Sequence, residues 1–164
     1  MESDNRETRD AATAGVVTRP PVLHLAGLIL GLALDYVLPL PLAVPAASLP
    51  RWTLAAGLML IGAAIFAAAV GNFRRAGTPV PSTEPVRALV TTGIHGWSRN
   101  PIYVGMLLLY AGIGVAARSP WMLILAVPLV IVMRTVVVAR EEAYLERHFG
   151  AAYRDYKARV RRWV

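Results

Sequence analysis

The chain has 164 residues, of which 56% are hydrophobic, and its 17 Lys and Arg against 10 Asp and Glu give a formal net charge of +7. Cysteine is absent, which excludes disulfides, thiolate metal sites and cysteine nucleophiles. The histidines, His24, His95 and His148, form no pair at metal-ligand spacing, so we expect no metal site. The basic residues mostly flank apolar segments, which favours anionic lipid headgroups as their partner and not nucleic acid.

Four apolar segments predict four transmembrane helices and an all-α fold. Residues 1–19 are polar and predict a disordered cytoplasmic tail, so the membrane domain is expected to comprise residues 20–164. The predicted spans run from Pro21 to Leu38, from Trp52 to about Phe73, from Pro101 to near Ala117, and from Pro120 to about Val138. Each span has about 17–22 residues, which suffices for a hydrocarbon core of about 30 Å.

Ser119 and Pro128 predict two local features of the fourth span. Ser119 is expected to cap its N-terminus, with Pro120 in the first turn. Pro128 lies inside the span and predicts a kink. The third and fourth spans are therefore expected to form a tight hairpin.

The distribution of Lys and Arg predicts the orientation in the membrane. Basic residues are frequent in the N-terminal tail, in the loop at 74–99 and after Arg140, whereas the two opposite loops carry only Arg51 and Arg118. Positive residues favour the cytoplasmic side, so both termini and the central loop of this multi-pass protein are expected there. The Ala-, Arg- and Val-rich composition predicts a bacterial cytoplasmic membrane.

The C-terminal residues are expected to lie on the membrane and not to cross it. Gly150 predicts the end of one helix. Apolar residues then recur at helical spacing at Tyr153, Tyr156, Val160 and Trp163. Basic residues surround this stripe, as in an amphipathic helix that lies in the headgroup plane. Such a helix is expected to cover a site that opens to the cytoplasmic leaflet.

The hairpin of the third and fourth spans is expected to bring two polar clusters together. Pro101 lies about 18 residues before the turn at Ser119, and Glu141 lies about 22 residues after it. At about 1.5 Å per residue, both ends reach the same interface. The residues expected to meet there are Arg99, Asn100, Tyr103, Arg140, Glu141 and Glu142. This cluster predicts an active site on a chain with almost no soluble domain.

The sequence leaves two questions open about the charged residues near the end of the fourth span. Glu141 and Glu142 diverge by about 100° around a helix, so only one is expected to point into a given pocket. Arg134 lies about two turns before Glu141 on nearly the same face, where an unpaired charge is costly. Arg134 is therefore a candidate partner for a carboxylate, or else a residue that snorkels to the interface.

The hairpin carries two motifs. They are Gly93 followed by Arg99-Asn100-Pro101-x-Tyr103-x-Gly105, and Glu141-Glu142-x-x-Leu145-x-x-x-Phe149-Gly150-x-x-Tyr153-x-x-Tyr156. Together with Phe73-x-x-Ala76-Gly77-Thr78 upstream, they resemble the isoprenylcysteine carboxyl methyltransferase and phospholipid methyltransferase family over about residues 70–163. Family members commonly carry an aromatic residue where His95 stands and a basic residue where Gly96 stands.

The resemblance implies methyl transfer from S-adenosylmethionine at a cytoplasmic membrane interface, with an active-site region of about residues 72–163. The cofactor-binding residues that it implies are Gly93, His95, Arg99, Asn100, Pro101, Tyr103, Gly105, Glu141 and Glu142. Arg99 and Glu142 are the residues expected to be essential for catalysis, and Arg134, Arg140 and Tyr153 are the candidates for binding the substrate. The acceptor stays open between a lipid-like molecule and a small carboxylate, amine or thiol.

Two other function classes also remain open. Membrane reductases of the sterol-reductase type resemble this architecture and use NADPH, whose 2′-phosphate needs basic groups such as Arg74 and Arg75. The other alternative is a small non-enzymatic membrane subunit with a basic tail. Binding of the methyl donor, of NADPH or of neither would separate the three classes. No oligomeric state is predicted, since small-residue faces can pack within one chain or between chains.

Overall fold

The computed structural model describes residues 19–40, 49–80 and 86–164, and these ranges contain helices and turns but no strand. The helices are α1 (Pro20–Val37), α2 (Leu49–Arg75), α3 (Pro101–Ala117), α4 (Pro120–Val132), α5 (Ala139–Phe149) and α6 (Ala151–Arg159). A 3₁₀ turn at Gly93–Gly96 precedes α3, and a π-helical segment at Met133–Val138 joins α4 to α5. The predicted all-α class is confirmed, and the predicted disordered tail lies outside the described residues apart from Arg19.

Within the residues that the structure describes, three helical runs are long and apolar enough to cross a membrane. They are α1, α2 and the continuous run Pro120–Phe149, which comprises α4, the π-helical segment and α5. Helix α3 is apolar but has 17 residues. This corresponds to about 26 Å of helix, slightly less than a hydrocarbon core of about 30 Å. Of the four predicted spans, three are therefore supported by length and composition.

Proline and a capping serine set the hairpin between α3 and α4. Pro101 and Pro120 each occupy the start of a helix, where the missing N–H removes no helical hydrogen bond. Arg118 adopts a left-handed conformation, with φ of 56°, and ends α3. The Ser119 hydroxyl accepts a hydrogen bond from the Met122 N–H at 3.0 Å, so the predicted cap is confirmed.

Helix α3 is the centre of the bundle, since it packs against α2 on one side and against α4 on another. Gly62 of α2 and Gly105 of α3 face each other, and a Cβ built on either would lie 2.8 Å from the carbonyl oxygen of the other. Helix α4 also packs against α1. The two glycines therefore allow a backbone approach that larger residues would prevent.

The fourth helix differs from the prediction in its length. It does not end at about Val138 but continues through the π-helical segment to Phe149. Pro128 lies inside α4 without ending it, and the change of helical geometry comes after it, at Met133–Val138. π-Helical segments occur frequently at functional sites. This one directly precedes the start of α5, which carries the acidic pair Glu141 and Glu142.

The C-terminal helix is shorter than the apolar spacing predicts. Gly150, with φ of 55°, separates α5 from α6 as expected. Helix α6 ends at Arg159, and Val160 is extended with φ of −118° and ψ of 132°. The prediction of a helical stripe through Trp163 is therefore wrong. The physical reason is that the carbonyl groups of the extended residues accept hydrogen bonds from the loop before α3.

Gly62→Ala should destabilise the protein, because its new Cβ would have to fit against backbone atoms of α3. We expect the free energy of unfolding to fall by about 1–3 kcal/mol, measured by reversible denaturation in detergent micelles. Gly57→Ala in the same helix is the matched control, because no atom lies within 4 Å of its Cβ. Equal stability of the two variants would show that α2 and α3 do not approach as closely as described.

Candidate active site

A cavity of about 50 Å³ lies where the start of α3, the start of α5 and helix α6 meet. Its wall is built from segments that are far apart in sequence, as the hairpin predicts. The predicted site residues that line it are His95, Arg99, Asn100, Pro101, Tyr103, Glu141, Glu142 and Tyr153. The two motifs are thus brought to one place.

An ion-pair triad forms the charged part of the wall. Arg99 Nη2 lies 2.8 Å from Glu142 Oε1, and the two side chains are only 8% and 7% exposed. Arg162 holds the same carboxylate with both arms of its guanidinium, Nε lying 3.1 Å from Oε1 and Nη2 contacting Oε2. A bidentate arrangement of this kind fixes the orientation of the carboxylate. Both oxygens of Glu142 are therefore engaged by arginine.

Arg99 is held by the C-terminal backbone as well as by Glu142. Its N–H donates to the Arg161 carbonyl at 3.0 Å, and its Nη1 donates to the Lys157 carbonyl at 3.0 Å. Its Nε is buried and has no hydrogen-bond partner within residues 19–40, 49–80 and 86–164. A buried donor without a partner is costly, and Arg99 lines the cavity, so an acceptor bound there would relieve this cost.

Glu141 occupies a different part of the wall. The Tyr103 hydroxyl donates to Glu141 Oε1 at 2.5 Å, and both side chains are buried. Glu141 lines the cavity, and in the described part of the chain no hydrogen bond reaches its Oε2. The geometry therefore favours Glu141 over Glu142 as the carboxylate that meets a ligand.

His95 is fixed as a neutral hydrogen-bond donor. Its ring is buried edge-to-face against Phe73, with 4.8 Å between ring centroids. Arg75 donates to Asn72 Oδ1 at 2.6 Å, which orients the amide so that Nδ2 lies 3.4 Å from His95 Nδ1. His95 Nδ1 therefore accepts, and the ring proton lies on Nε2. Burial lowers the pKa of His95 to about 4, so the imidazole is uncharged near neutral pH.

Helix α6 covers the cavity with two buried tyrosines. The Tyr156 hydroxyl donates to the His95 carbonyl at 2.7 Å, which connects α6 to the 3₁₀ turn. The Tyr153 ring lies edge-on to Tyr156 with 6.1 Å between centroids. Burial raises the pKa of Tyr156 to about 12 and raises the pKa of Tyr153 as well, so both hydroxyls stay protonated.

Four predicted site residues lie away from the cavity lining. Gly93, with φ of 59°, packs on the side chain of Asn72, and a Cβ there would lie 2.6 Å from the amide nitrogen. Gly105 packs against α2. Arg134 and Arg140 are exposed on the long fourth helix. The partners of Glu142 are Arg99 and Arg162, so the geometry gives no support to a pairing with Arg134.

Sequence reasoning missed Arg162, which lies among the basic residues of the tail. Its contact with Glu142 depends on the chain leaving the helix at Val160, and no local signal predicts that change.

The apolar wall at residues 86–90 was also missed, although its anchor lies in the upstream motif. The Thr78 hydroxyl accepts hydrogen bonds from the N–H groups of Arg87 at 2.8 Å and Ala88 at 3.4 Å. The Tyr144 hydroxyl accepts one from the Val86 N–H at 3.4 Å. Thr78 therefore helps to place this wall, a role that the sequence motif alone does not reveal.

The fold and the cavity define an all-helical membrane protein with a buried charged site at one end of its hairpin. A model of the phospholipid methyltransferase family matches residues 50–152, and the chain belongs to this family. The resemblance seen in the motifs is thus confirmed. Neither the reductase nor the non-enzymatic alternative gains support from this match.

Two relatives match parts of the chain. Protein-S-isoprenylcysteine O-methyltransferase of Saccharomyces cerevisiae is 31% identical over 77 residues, which cover 47% of this chain and 32% of that protein. An uncharacterized protein of Haemophilus influenzae is 51% identical over 35 residues, which cover 21% of this chain and 56% of that protein. The chain thus spans about a third and about half of the lengths of these relatives. No solved structure gives a significant match.

Acidification should destabilise the protein through His95, because its pKa falls from 6.5 to about 4 in the folded state. Between these two values the unfolded imidazole binds a proton that the folded one does not, so stability is lost as the pH falls. The expected loss is about 1.4 kcal/mol per pH unit, measured as the free energy of unfolding in micelles.

His95→Phe keeps an aromatic ring and removes the titrating group, so its stability should depend less steeply on pH. His148→Phe is the matched control, because His148 is exposed. Equal slopes for the wild type and His95→Phe would show that His95 is not kept neutral by the fold.

Proposed function

We propose that this protein is an S-adenosylmethionine-dependent methyltransferase that acts at the cytoplasmic membrane interface on a lipid-like acceptor or a small carboxylate, amine or thiol. Membership of the phospholipid methyltransferase family supports methyl transfer. The observation that carries the proposal is the cavity, where a buried arginine, an acidic side chain and neutral donors meet beside an apolar wall.

The lining fits the chemical groups of this cofactor. The unpartnered Nε of Arg99 is a donor for the carboxylate of the amino-acid end. Oε2 of Glu141 is an acceptor for the ammonium group or for ribose hydroxyls. Phe73 and Val90 supply an apolar surface suited to the adenine ring. When bound, S-adenosylmethionine would supply an electrophilic methyl group on a sulfonium centre.

The side chains of the cavity contribute positioning and exclusion of water, without covalent chemistry of their own. Glu142 orients Arg99, and Tyr103 orients Glu141. The Nε2–H of His95 can donate a hydrogen bond, but with a pKa of about 4 this ring is a poor proton acceptor near neutral pH. His95 is therefore not assigned the role of base towards an amine or thiol acceptor.

Binding must widen the cavity. Its volume is about 50 Å³, whereas small-molecule pockets usually measure ~300–1,000 Å³. Ion pairs between Glu142 and two arginines hold the charged wall together. The apolar wall at 86–90 is held to Thr78 and Tyr144 by neutral hydrogen bonds. We therefore place the movement in the apolar wall.

Detergent-purified protein should bind S-adenosylhomocysteine saturably in a calorimetric titration and should not bind NADPH. The double variant Arg99→Ala/Glu142→Ala should lose this binding, because it removes the donor for the carboxylate and the group that orients it. Arg147→Ala is the matched control, since Arg147 is exposed on α5.

Circular dichroism and gel filtration would establish that each variant is folded. A folded wild type that binds no S-adenosylhomocysteine would contradict the proposed function, and saturable binding of NADPH would favour the reductase class instead.

A further inference from the structure

We propose that Arg162 is a positioning residue of this site: it neutralises Glu142, so that the charge of Arg99 remains available to an anionic group bound in the cavity. Arg162 lies beyond residues 50–152, the part of the chain that the family model matches. The nature of the bound molecule rests on the proposed function, whereas the role of Arg162 rests on the contacts described next.

The first observation is the charge balance around Glu142. If Arg99 were the partner of this carboxylate alone, the pair would be neutral and an incoming anion would meet no surplus positive charge. Arg162 binds both oxygens, with Nε 3.1 Å from Oε1 and Nη2 against Oε2. Arg99 shares only Oε1, at 2.8 Å. Arg99, Glu142 and Arg162 together carry one net positive charge, and Arg99 and Glu142 line the cavity beside the second acidic residue, Glu141.

The second observation is the unused donor of Arg99. The Arg99 side chain is 8% exposed, yet its buried Nε has no partner in the described ranges. Its Nη1 is used by the Lys157 carbonyl and its Nη2 by Glu142. Arg99 lines the cavity, so an anionic acceptor bound beside its guanidinium would supply the partner that this buried donor lacks.

The third observation is that Arg162 is anchored by its main chain as well as by its side chain. The Ser98 hydroxyl and the Asn100 amide donate to the Arg162 carbonyl at 3.3 and 3.0 Å. The next residue, Trp163, packs against the apolar core of the bundle. Arg162 therefore connects the loop before α3 to the start of α5, which are the two segments that carry Arg99 and Glu142.

Two sources could supply the anionic group. One is the carboxylate of the cofactor, and the other is the phosphate of a lipid headgroup. A guanidinium N–H recognises both groups by charge-assisted hydrogen bonds. Paired ligands with and without the anionic group can separate the two sources.

Arg162→Ala should weaken binding of S-adenosylhomocysteine by about tenfold, measured by calorimetry on the 164-residue protein in detergent. Binding of 5′-methylthioadenosine, which lacks the amino-acid end, should weaken less than about twofold. Arg162→Lys should restore part of the affinity, because lysine keeps the charge but not the two-armed geometry. Arg159→Ala is the matched control, since Arg159 is exposed and bonds within α6 to the Asp155 carbonyl.

The lipid source is tested by titrating phosphatidic acid and diacylglycerol in mixed micelles. The proposal is supported if Arg162→Ala loses affinity for the anionic member of one pair but not for its uncharged counterpart. The pair that shows this selective loss identifies the source of the anionic group. Equal losses of affinity for both members of each pair would show that Arg162 has a merely structural role. Unchanged affinity for all four ligands would show that Arg162 has no role in binding. Either result overturns the proposal.

The same titrations keep the two proposals separate. A wild type that binds no S-adenosylhomocysteine defeats the proposed function, while a selective loss of phosphatidic acid would still support the role of Arg162. A wild type and an Arg162→Ala variant that bind both anionic ligands equally would defeat the role of Arg162 alone.

Discussion

The carboxylate of Glu142 joins three parts of the chain that are distant in sequence. Arg99 comes from the loop before α3, Glu142 from the start of α5, and Arg162 from the C-terminal segment after α6. Removing charges from water costs several kcal/mol per ion, which close opposite charges and additional hydrogen bonds must offset. This triad has both features, and it holds Arg99 and Glu142 in the cavity wall.

The fold supplies the conditions under which the triad can form. The hairpin of α3 and α4 returns the chain to its starting side, and Gly62 and Gly105 let α3 settle closely against α2. The π-helical segment at Met133–Val138 then leads directly into α5. Helix α6 and the extended residues after it cover the site from the other side. The cavity wall is built from the starts of α3 and α5, from α6 and from the loop at 86–90.

Much of this arrangement could be predicted because it follows from local rules. Hydrophobic length, the cap at Ser119 and the break at Gly150 are encoded by neighbouring residues, and the structure confirms the cap and the break. The meeting of the two motifs followed from hairpin length alone. Hairpin length does not predict the roles of individual residues. Adjacent acids such as Glu141 and Glu142 differ only in the partners that tertiary packing gives them.

The features that escaped prediction all depend on contacts across the fold. Arg162 is one of several basic residues in the tail, and nothing in the neighbouring sequence sets it apart from them. It reaches Glu142 because the chain becomes extended at Val160. Gly105 belongs to the cofactor-binding set that the resemblance implies, yet in the structure it packs against α2. In both cases the deciding atoms belong to a different element, which spacing within one helix cannot reveal.

The central claim is that this cavity carries out methyl transfer, with Glu141 facing the reactants. The most direct measurement is transfer of a labelled methyl group from S-adenosylmethionine to a total cell extract, followed by separation of the lipid and aqueous phases. We expect label to enter one phase with the wild type, and to fall by about 10–10²-fold with Glu141→Gln, because a hydrogen bond to a charged group such as the cofactor's ammonium is worth about 1.5–3 kcal/mol. Unchanged transfer by Glu141→Gln, or no transfer by folded wild type, would contradict the account.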